Sequence, residues 1–352
     1  MPRGMKTRLR AWVAALAVAA VVVATADRVS AGVTDGGYPR GDVIVTDAEP
    51  EVDDVSHVAA GPNDTIWFTC LDGDRIGRVS ASGDVTTFRD PAHRVHYPLG
   101  ITTGSDGNVW FVSFDNDRIG RITPAGQITT FPVHGHHVSL LGGIASGPDG
   151  NLWFTMRDAV GRITPTGGTT VFTRPGLDID VSDAIAAGPD GNVWFTSYAW
   201  RDRHHGARNQ IGRVTPIGRI TMFSDRAGEV RYPGGITAGA DGNVWFTSRD
   251  NNRIGRITPS GSITTFRVPP DDLRWLEAIT AGPDGNLWFT GTASSQIGRI
   301  TPAGKISAFS QLSVELSNDS GIAAGADGNL WFAEYYRISR VTPSGVFTRF
   351  PR

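Results

Sequence analysis

The segment "GPDGNLWFT" stands at residues 147–155 and again at 282–290, with near copies at 188–196, 239–247 and 325–333. A Trp-Phe pair recurs at Trp67, Trp110, Trp153, Trp194, Trp245, Trp288 and Trp331. The intervals are 43, 43, 41, 51, 43 and 43 residues, so seven copies of one unit fill most of the 352-residue chain. Self-similarity at a fixed period near 43 residues limits the fold to a repeat architecture.

Residue types decide which one. In 235–268, "GITAG" runs into the turn "ADGN", then "VWFTS", the polar loop "RDNN", "RIGRIT", the turn "PSG" and "SITTFRV". These are four short runs rich in Val, Ile, Thr, Phe and Trp, punctuated by Gly, Pro, Asp and Asn. Asp-Gly is a hairpin signal and reads as a type I′ turn. Thr-Pro-x-Gly supplies a second tight turn. Four antiparallel strands (a to d) repeated seven times give an all-β, seven-bladed β-propeller. The Trp is expected between neighbouring blades. Seven equivalent arginines, Arg78, Arg121, Arg162, Arg213, Arg256, Arg299 and Arg340, read as a ring of inter-blade hydrogen bonds, since one active site needs no sevenfold set. A calcium loop built on the Asp is disfavoured, because the spaced acidic positions of such a loop are absent. For the fourth strand of the last blade the sequence offers both "GVFTRFP" (345–351) and "DVIVTDAEP" (42–50) and does not choose.

The N-terminus is of another kind. Arg3, Lys6, Arg8 and Arg10 precede the apolar run at 11–24, and Ala24-Thr25-Ala26 follows. That is the layout of a secretory signal peptide, and the run is shorter than the ~20 residues of a membrane span. The expected organisation is a signal peptide at 1–26, a linker at 27–41 and the propeller at 42–352, in a secreted or extracytoplasmic monomer without a membrane span. Cleavage after Ala31, or a retained anchor, is the alternative. Removing 1–26 takes away four positive charges and no negative one, so the net charge of −2 becomes −6. Nucleic acid is not an expected partner of such a surface. Cys70 is the sole cysteine, which excludes an intrachain disulfide and a cysteine-ligated metal site.

Function is expected on the variable face, formed by the b–c and d–a loops. All eight histidines fall there or at its border. His136 and His137 stand in "HGHH", and His204 in the enlarged loop that lengthens one interval to 51. Imidazoles suit a metal or an anionic ligand, although no fixed ligand spacing supports a metal. The residue two before the Ile or Val of each strand a is expected near the central channel. Those residues are Ser56, Leu99, Gly142, Asp183, Gly234, Glu277 and Ser320, of which Asp183 and Glu277 are candidate inward carboxylates. Tyr97, Tyr232 and Trp275 lie in the same loops and could stack on a flat or cyclic ligand, or cap the core.

The repeated brick, "GI-x-x-GPDGNLWFT" followed by "IGRITP-x-G-x-ITTF", resembles the virginiamycin B lyase (streptogramin lyase) family over residues 42–352. The resemblance implies a seven-bladed propeller and Mg2+-dependent ring opening of a cyclic depsipeptide antibiotic by elimination at its ester. Such chemistry needs a base beside a carbonyl and a cation for the developing enolate. The family's Pro-His-Ala-Ile entering blade six reads Leu276-Glu277-Ala278-Ile279 here. Its Glu-Pro-His-Gly-Ile entering blade seven reads Asn318-Asp319-Ser320-Gly321-Ile322. Asn318 thus replaces a metal-binding Glu, and Ser320 replaces the general-base His. A further family Glu falls on Tyr335, with Glu334 one residue earlier.

The scaffold matches and the chemistry does not, so the expected function is binding. The ligand or partner would be a small cyclic molecule, a glycan or a protein segment, held by Tyr97, His136, His137, Asp183, His204, Tyr232, Trp275, Asn318, Ser320 and Tyr335. The alternative is a Mg2+-dependent carbon–oxygen lyase with a relocated site, in which Glu277 and Glu334 are catalytic and Asp183 assists. The natural ligand is not legible in the sequence.

Overall fold

The computed structural model describes residues 52–134, 142–173, 184–198, 209–269, 273–310, 315–317 and 319–350. Blade one comprises β1 (Val55–Ala60), β2 (Ile66–Cys70), β3 (Arg75–Val79) and β4 (Val85–Arg89). Blade two follows with β5 (Pro98–Thr103), β6 (Val109–Ser113), β7 (Arg118–Ile122) and β8 (Ile128–Pro132). Blade three holds β9 (Ile144–Ser146), β10 (Leu152–Met156), β11 (Ala159–Ile163) and β12 (Thr169–Phe172). Blade four holds β13 (Ile185–Ala187), β14 (Val193–Tyr198), β15 (Asn209–Val214) and β16 (Ile220–Ser224). Blade five holds β17 (Pro233–Ala238), β18 (Val244–Ser248), β19 (Arg253–Ile257) and β20 (Ile263–Arg267). Blade six holds β21 (Leu276–Ala281), β22 (Leu287–Gly291), β23 (Gln296–Ile300) and β24 (Ile306–Phe309). Blade seven holds β25 (Ile322–Ala324), β26 (Leu330–Glu334), β27 (Arg337–Val341) and β28 (Phe347–Phe350).

Each blade is one antiparallel four-stranded sheet taken from consecutive sequence. The first strand of every blade meets the first strand of the next, and β25 meets β1, so the ring is closed. The fourth strand of blade seven is β28, the C-terminal of the two segments that the sequence left open. The other, 42–50, lies outside the described residues.

The Trp of each blade buries itself in its neighbour. Trp67 packs with Val95, Ile101 and Phe111 of blade two, and Trp331 returns to Val55, Ile66 and Phe68 of blade one. The repeated Asp serves this Trp. In blades two to seven the indole Nε1 donates to the aspartate four residues earlier at 2.9–3.1 Å. Burial alone would push Asp149 up. Hydrogen bonds from Asn151 and Trp153 outweigh it and hold the carboxyl below the usual range. The turn is therefore not the expected type I′: in 147–151 the positive φ is carried by Gly150 (75°), and Asp149 stays out of that region to reach its Trp. Blade one, with Asn63 and Asp64 at φ 57° and 56°, has the consecutive left-handed pair, and there Trp67 donates to Thr65 instead.

The arginine ring is also present. Arg78, Arg121, Arg162, Arg213, Arg256 and Arg299 each donate to a proline carbonyl of the following blade at 2.7–3.2 Å. Each guanidinium also lies over its blade's Trp and the Phe that stacks on it. In six blades a Gly precedes this Arg, and the packing there leaves no room for a side chain: a Cβ on Gly255 would sit 2.1 Å from Phe246 Cζ.

Candidate functional site

The strand-a position is set by a bulge. The sequence reading began this strand at Gly235; the structure begins it at Pro233. The register shifts between Val55 and Val58, Pro98 and Ile101, Pro233 and Ile236, and Leu276 and Ile279. Ser56, Leu99, Gly234 and Glu277 are thus bulge residues, and bulges re-aim side chains beside functional sites.

The residue entering each of these four strands is left-handed: Asp54, Tyr97, Tyr232 and Trp275 have φ of 45°, 51°, 52° and 56°. A non-glycine residue there costs about 1–2 kcal/mol, so the surroundings must hold it. The amide of Tyr97 donates to Asp74, that of Tyr232 to Asn209 and that of Trp275 to Asn252, at 2.7–3.3 Å. Their carbonyls accept from Phe114, Arg249 and Thr292. Each aromatic is therefore fixed between its own blade and the preceding one.

Blades four to six bring several of these side chains together. The rings of Tyr198 and Tyr232 lie 4.1 Å apart, with their hydroxyls 3.1 Å apart. Trp275 stands 6.4 Å from Tyr232 and is 40% exposed. The Arg249 guanidinium lies 5.1 Å from the Tyr232 centroid and forms a short ion pair with Glu277. Arg249 and Glu277 are both buried, and the Glu277 carbonyl accepts from Thr247 at 2.8 Å.

Blades seven, one and two form a second sector. Asp54 is half-buried. Burial, then Asp72, Asp319 and Asp53, push its carboxyl up to about 6. Burial and the charges of Asp319, Asp54, Asp72 and Asp115 raise Tyr97. Burial, Asp54 and Asp319 do the same to Tyr335. Tyr97 packs on Phe114 at 6.0 Å. Ser320 is fully buried and shares a 3.0 Å hydrogen bond with Ser317.

Glu334 borders the second sector, where its carboxylate accepts from the Glu315 amide at 3.4 Å. It is 3% exposed, and its carboxylate accepts from Ser339 and from Arg349, joining β26, β27 and β28. His136, His137, Asp183, His204 and Asn318 lie outside the described residues. Cys70 ends β2, and burial pushes its thiol up to about 12, so it is not a reactive thiolate.

The sequence reading missed Tyr198 and Arg249. Both stand four residues after the blade's Trp, a position occupied by Leu71, Phe114, Arg157, Tyr198, Arg249, Thr292 and Tyr335. Aligning that column would have found them, because it varies where the brick is otherwise constant.

The magnesium site implied by the resemblance does not fit these residues. Glu277 is committed to Arg249, Ser320 to Ser317, and a tyrosine stands at 335. Among the described residues no group of three or more His, Cys, Asp or Glu side chains is placed to hold a metal ion.

The fold has close structural relatives. A streptogramin B lyase structure is similar at 28% identity and TM-score 0.74, over 86% of this chain and 95% of that one. A catalytically inactive virginiamycin B lyase from Staphylococcus aureus, solved with quinupristin, is 31% identical at TM-score 0.70, over 82% of this chain and 95% of that one. A gluconolactonase from Xanthomonas campestris shares the fold alone, at 14% identity and TM-score 0.53 over 84% of this chain and 97% of that one. No curated protein sequence matches. The virginiamycin B lyase family model matches twice, over residues 37–224 and 143–352, as expected for a chain of internal repeats. With the brick, the seven blades and this double match in agreement, the chain belongs to the virginiamycin B lyase family.

Proposed function

We propose that this chain is an exported ligand-binding propeller that lacks the lyase activity its family is named for. One observation carries the reading. Glu277 stands where the resemblance puts a catalytic histidine, and it is closed into a buried ion pair with Arg249. A carboxylate paired in this way is a poor base, because the adjacent cation favours its ionised form and occupies its lone pairs. The exposed indole of Trp275, beside Tyr232 and Tyr198, supports stacking of a flat or cyclic ligand on the same sector.

Incubation with a streptogramin B and Mg2+, followed by chromatography and NMR, tests the absence of catalysis. NMR is needed because elimination gives a ring-opened isomer of unchanged mass. The expected result is no ring opening above a Glu277→Ala control. Ring opening by the wild-type chain alone would overturn the reading and put chemistry on Glu277. Titration of the same compound against tryptophan fluorescence, with Trp275→Ala as the comparison, tests binding separately.

A further inference from the structure

The seven blade junctions are not equivalent. Six carry the arginine-to-proline bond described above. At the seventh, Arg340 donates to Asp327 of its own blade at 3.0 Å. The turn it faces in blade one reads Ser80-Ala81-Ser82, without the Thr-Pro of the other blades. This junction is fastened on the opposite side of the ring, beside the loops of the candidate site. The Val55 amide donates to the Tyr335 carbonyl at 3.1 Å, and the Gly321 amide to the Ser56 carbonyl at 2.7 Å. Ser317 Oγ donates to the Val55 carbonyl at 3.0 Å, and Ser56 Oγ to the Asp319 carbonyl at 3.4 Å. Ser56, Ser317 and Ser320 are buried there.

Carboxylates stand against these bonds from both blades. Asp53 and Asp54 precede Val55, Asp72 lies in the β2–β3 turn, and Asp319 comes from the entry to blade seven. Tyr97 faces the cluster from blade two, Tyr335 from blade seven, and the Cys70 thiol from β2. His57 follows on β1, with its Nδ1 2.7 Å from Ser56 Oγ, and His96 pairs with Asp74 at 3.6 Å nearby.

We propose that these four hydrogen bonds are the latch that closes the ring, and that the latch tightens when the carboxylate cluster at Asp54 takes up a proton. Asp54 and Asp319 sit on opposite sides of the junction, so ionising both adds repulsion across it. Opening the junction returns Asp54 to water and separates it from Asp319. The closed junction holds the Asp54 proton more firmly, with the carboxyl at about 6 against the ordinary 3.8. The sign follows from linkage: the gain in closure is complete below the ordinary carboxylate range and is lost as pH rises through about 6. Between about pH 5 and about pH 7.5 a shift of this size is worth about tenfold in the opening equilibrium, and because Asp54 is partly exposed, screening reduces that to about threefold.

Amide hydrogen exchange on the full chain at about pH 5 and about pH 7.5, corrected for intrinsic rates, tests both halves. The Val55 and Gly321 amides report the latch. The Arg249 and Thr292 amides, bonded to the Tyr232 and Trp275 carbonyls, report blades five and six. The expected result is latch protection about threefold higher at the lower pH, with the comparison amides unchanged. In Asp54→Asn the latch amides should lose this dependence; asparagine tolerates the left-handed backbone, so the fold is retained. Should that variant not fold, Asp319→Asn should flatten the dependence instead. Two outcomes overturn the proposal: latch and comparison amides moving together with pH, or a dependence that survives the substitution.

Discussion

Arg249 and Glu277 form an ion pair across the junction of blades five and six, with side chains only 6% and 10% exposed. The arginine also covers the Tyr232 ring, and the glutamate backbone is tied to Thr247. Breaking such a pair leaves one buried charge without its partner, at a cost of about 3–5 kcal/mol. Glu277→Leu and Arg249→Met should each lower the unfolding free energy on that scale, measured by denaturant titration. The double variant Arg249→Met, Glu277→Leu should cost much less than the sum. Additive losses would mean that the two side chains are not energetically coupled.

The same pair bears on catalysis. Glu277→His restores the residue type the family resemblance places there. It also leaves Arg249 beside the new imidazole, where a cation disfavours protonation and the Ser320 and Tyr335 positions remain unchanged. No ring opening of a streptogramin B should follow, by NMR, from this single substitution. Activity in Glu277→His would show that one residue separates this chain from a lyase.

Much of this architecture was legible because the brick states it seven times. Trp153 with Asp149, Arg162 with the next blade's Pro216, and Gly161 under Phe154 are each set by local spacing that repeats. The site was less legible because it occupies columns where the repeat varies. Asp54, Tyr97, Tyr232 and Trp275 share one backbone position, yet their left-handed φ and the bulge behind them leave no signature in residue type. Arg249 belongs to a polar loop, and nothing in "RDNN" tells that its side chain turns inward to Glu277. Glu334 looked available for chemistry from its place beside a family position. Ser339, where other blades have Gly, and Arg349 explain why it is bound inside blade seven.

The six tryptophan-capping aspartates predict acid sensitivity of a different sign from the latch. Asp106, Asp149, Asp190, Asp241, Asp284 and Asp327 are all held below their ordinary value: burial opposes the shift, and the Asn and Trp hydrogen bonds outweigh it. A depressed carboxyl contributes stability that is present above its unfolded value and lost as pH falls through the folded one. The thermal midpoint should therefore drop steeply below about pH 4. Asp149→Asn should shift the midpoint down at neutral pH and make the acid limb shallower. An unchanged acid limb would assign acid unfolding to other groups.

Position 255 tests the packing of the brick. A methyl on Gly255 meets the Phe246 ring at 2.1 Å, and that ring is fully buried. Overpacking of this kind costs about 1–3 kcal/mol or more. Gly255→Ala should lower the unfolding free energy by at least that amount, by denaturant titration. Blade seven carries Ser339 at this place and Phe347 where other blades have Val, Ile or Thr, and there Phe332 meets Phe347 edge-on, at 6.1 Å and 81°. Ser339→Gly should accordingly not relieve strain. It should remove the hydrogen bond to Glu334 and destabilise the chain by about 1–3 kcal/mol, the cost of leaving a buried acceptor short of a partner.

Trp275 separates stability from binding. Its backbone sits at φ 56°, held by Asn252 and Thr292, while 40% of the residue remains exposed. An exposed indole contributes little to the core, and the left-handed backbone disfavours any residue with a Cβ. Trp275→Gly should therefore leave the unfolding free energy unchanged or raise it by about 1 kcal/mol. The same substitution removes the exposed stacking surface beside Tyr232, so ligand affinity on this sector should fall by about tenfold or more, as expected for losing an aromatic stack of 1–3 kcal/mol. Calorimetric binding and denaturant titration on one preparation give both numbers. A large loss of stability would make Trp275 a core residue whose exposure is incidental. Retained affinity with unchanged stability would move the binding sector to Tyr97 and Tyr335, on the other side of the ring.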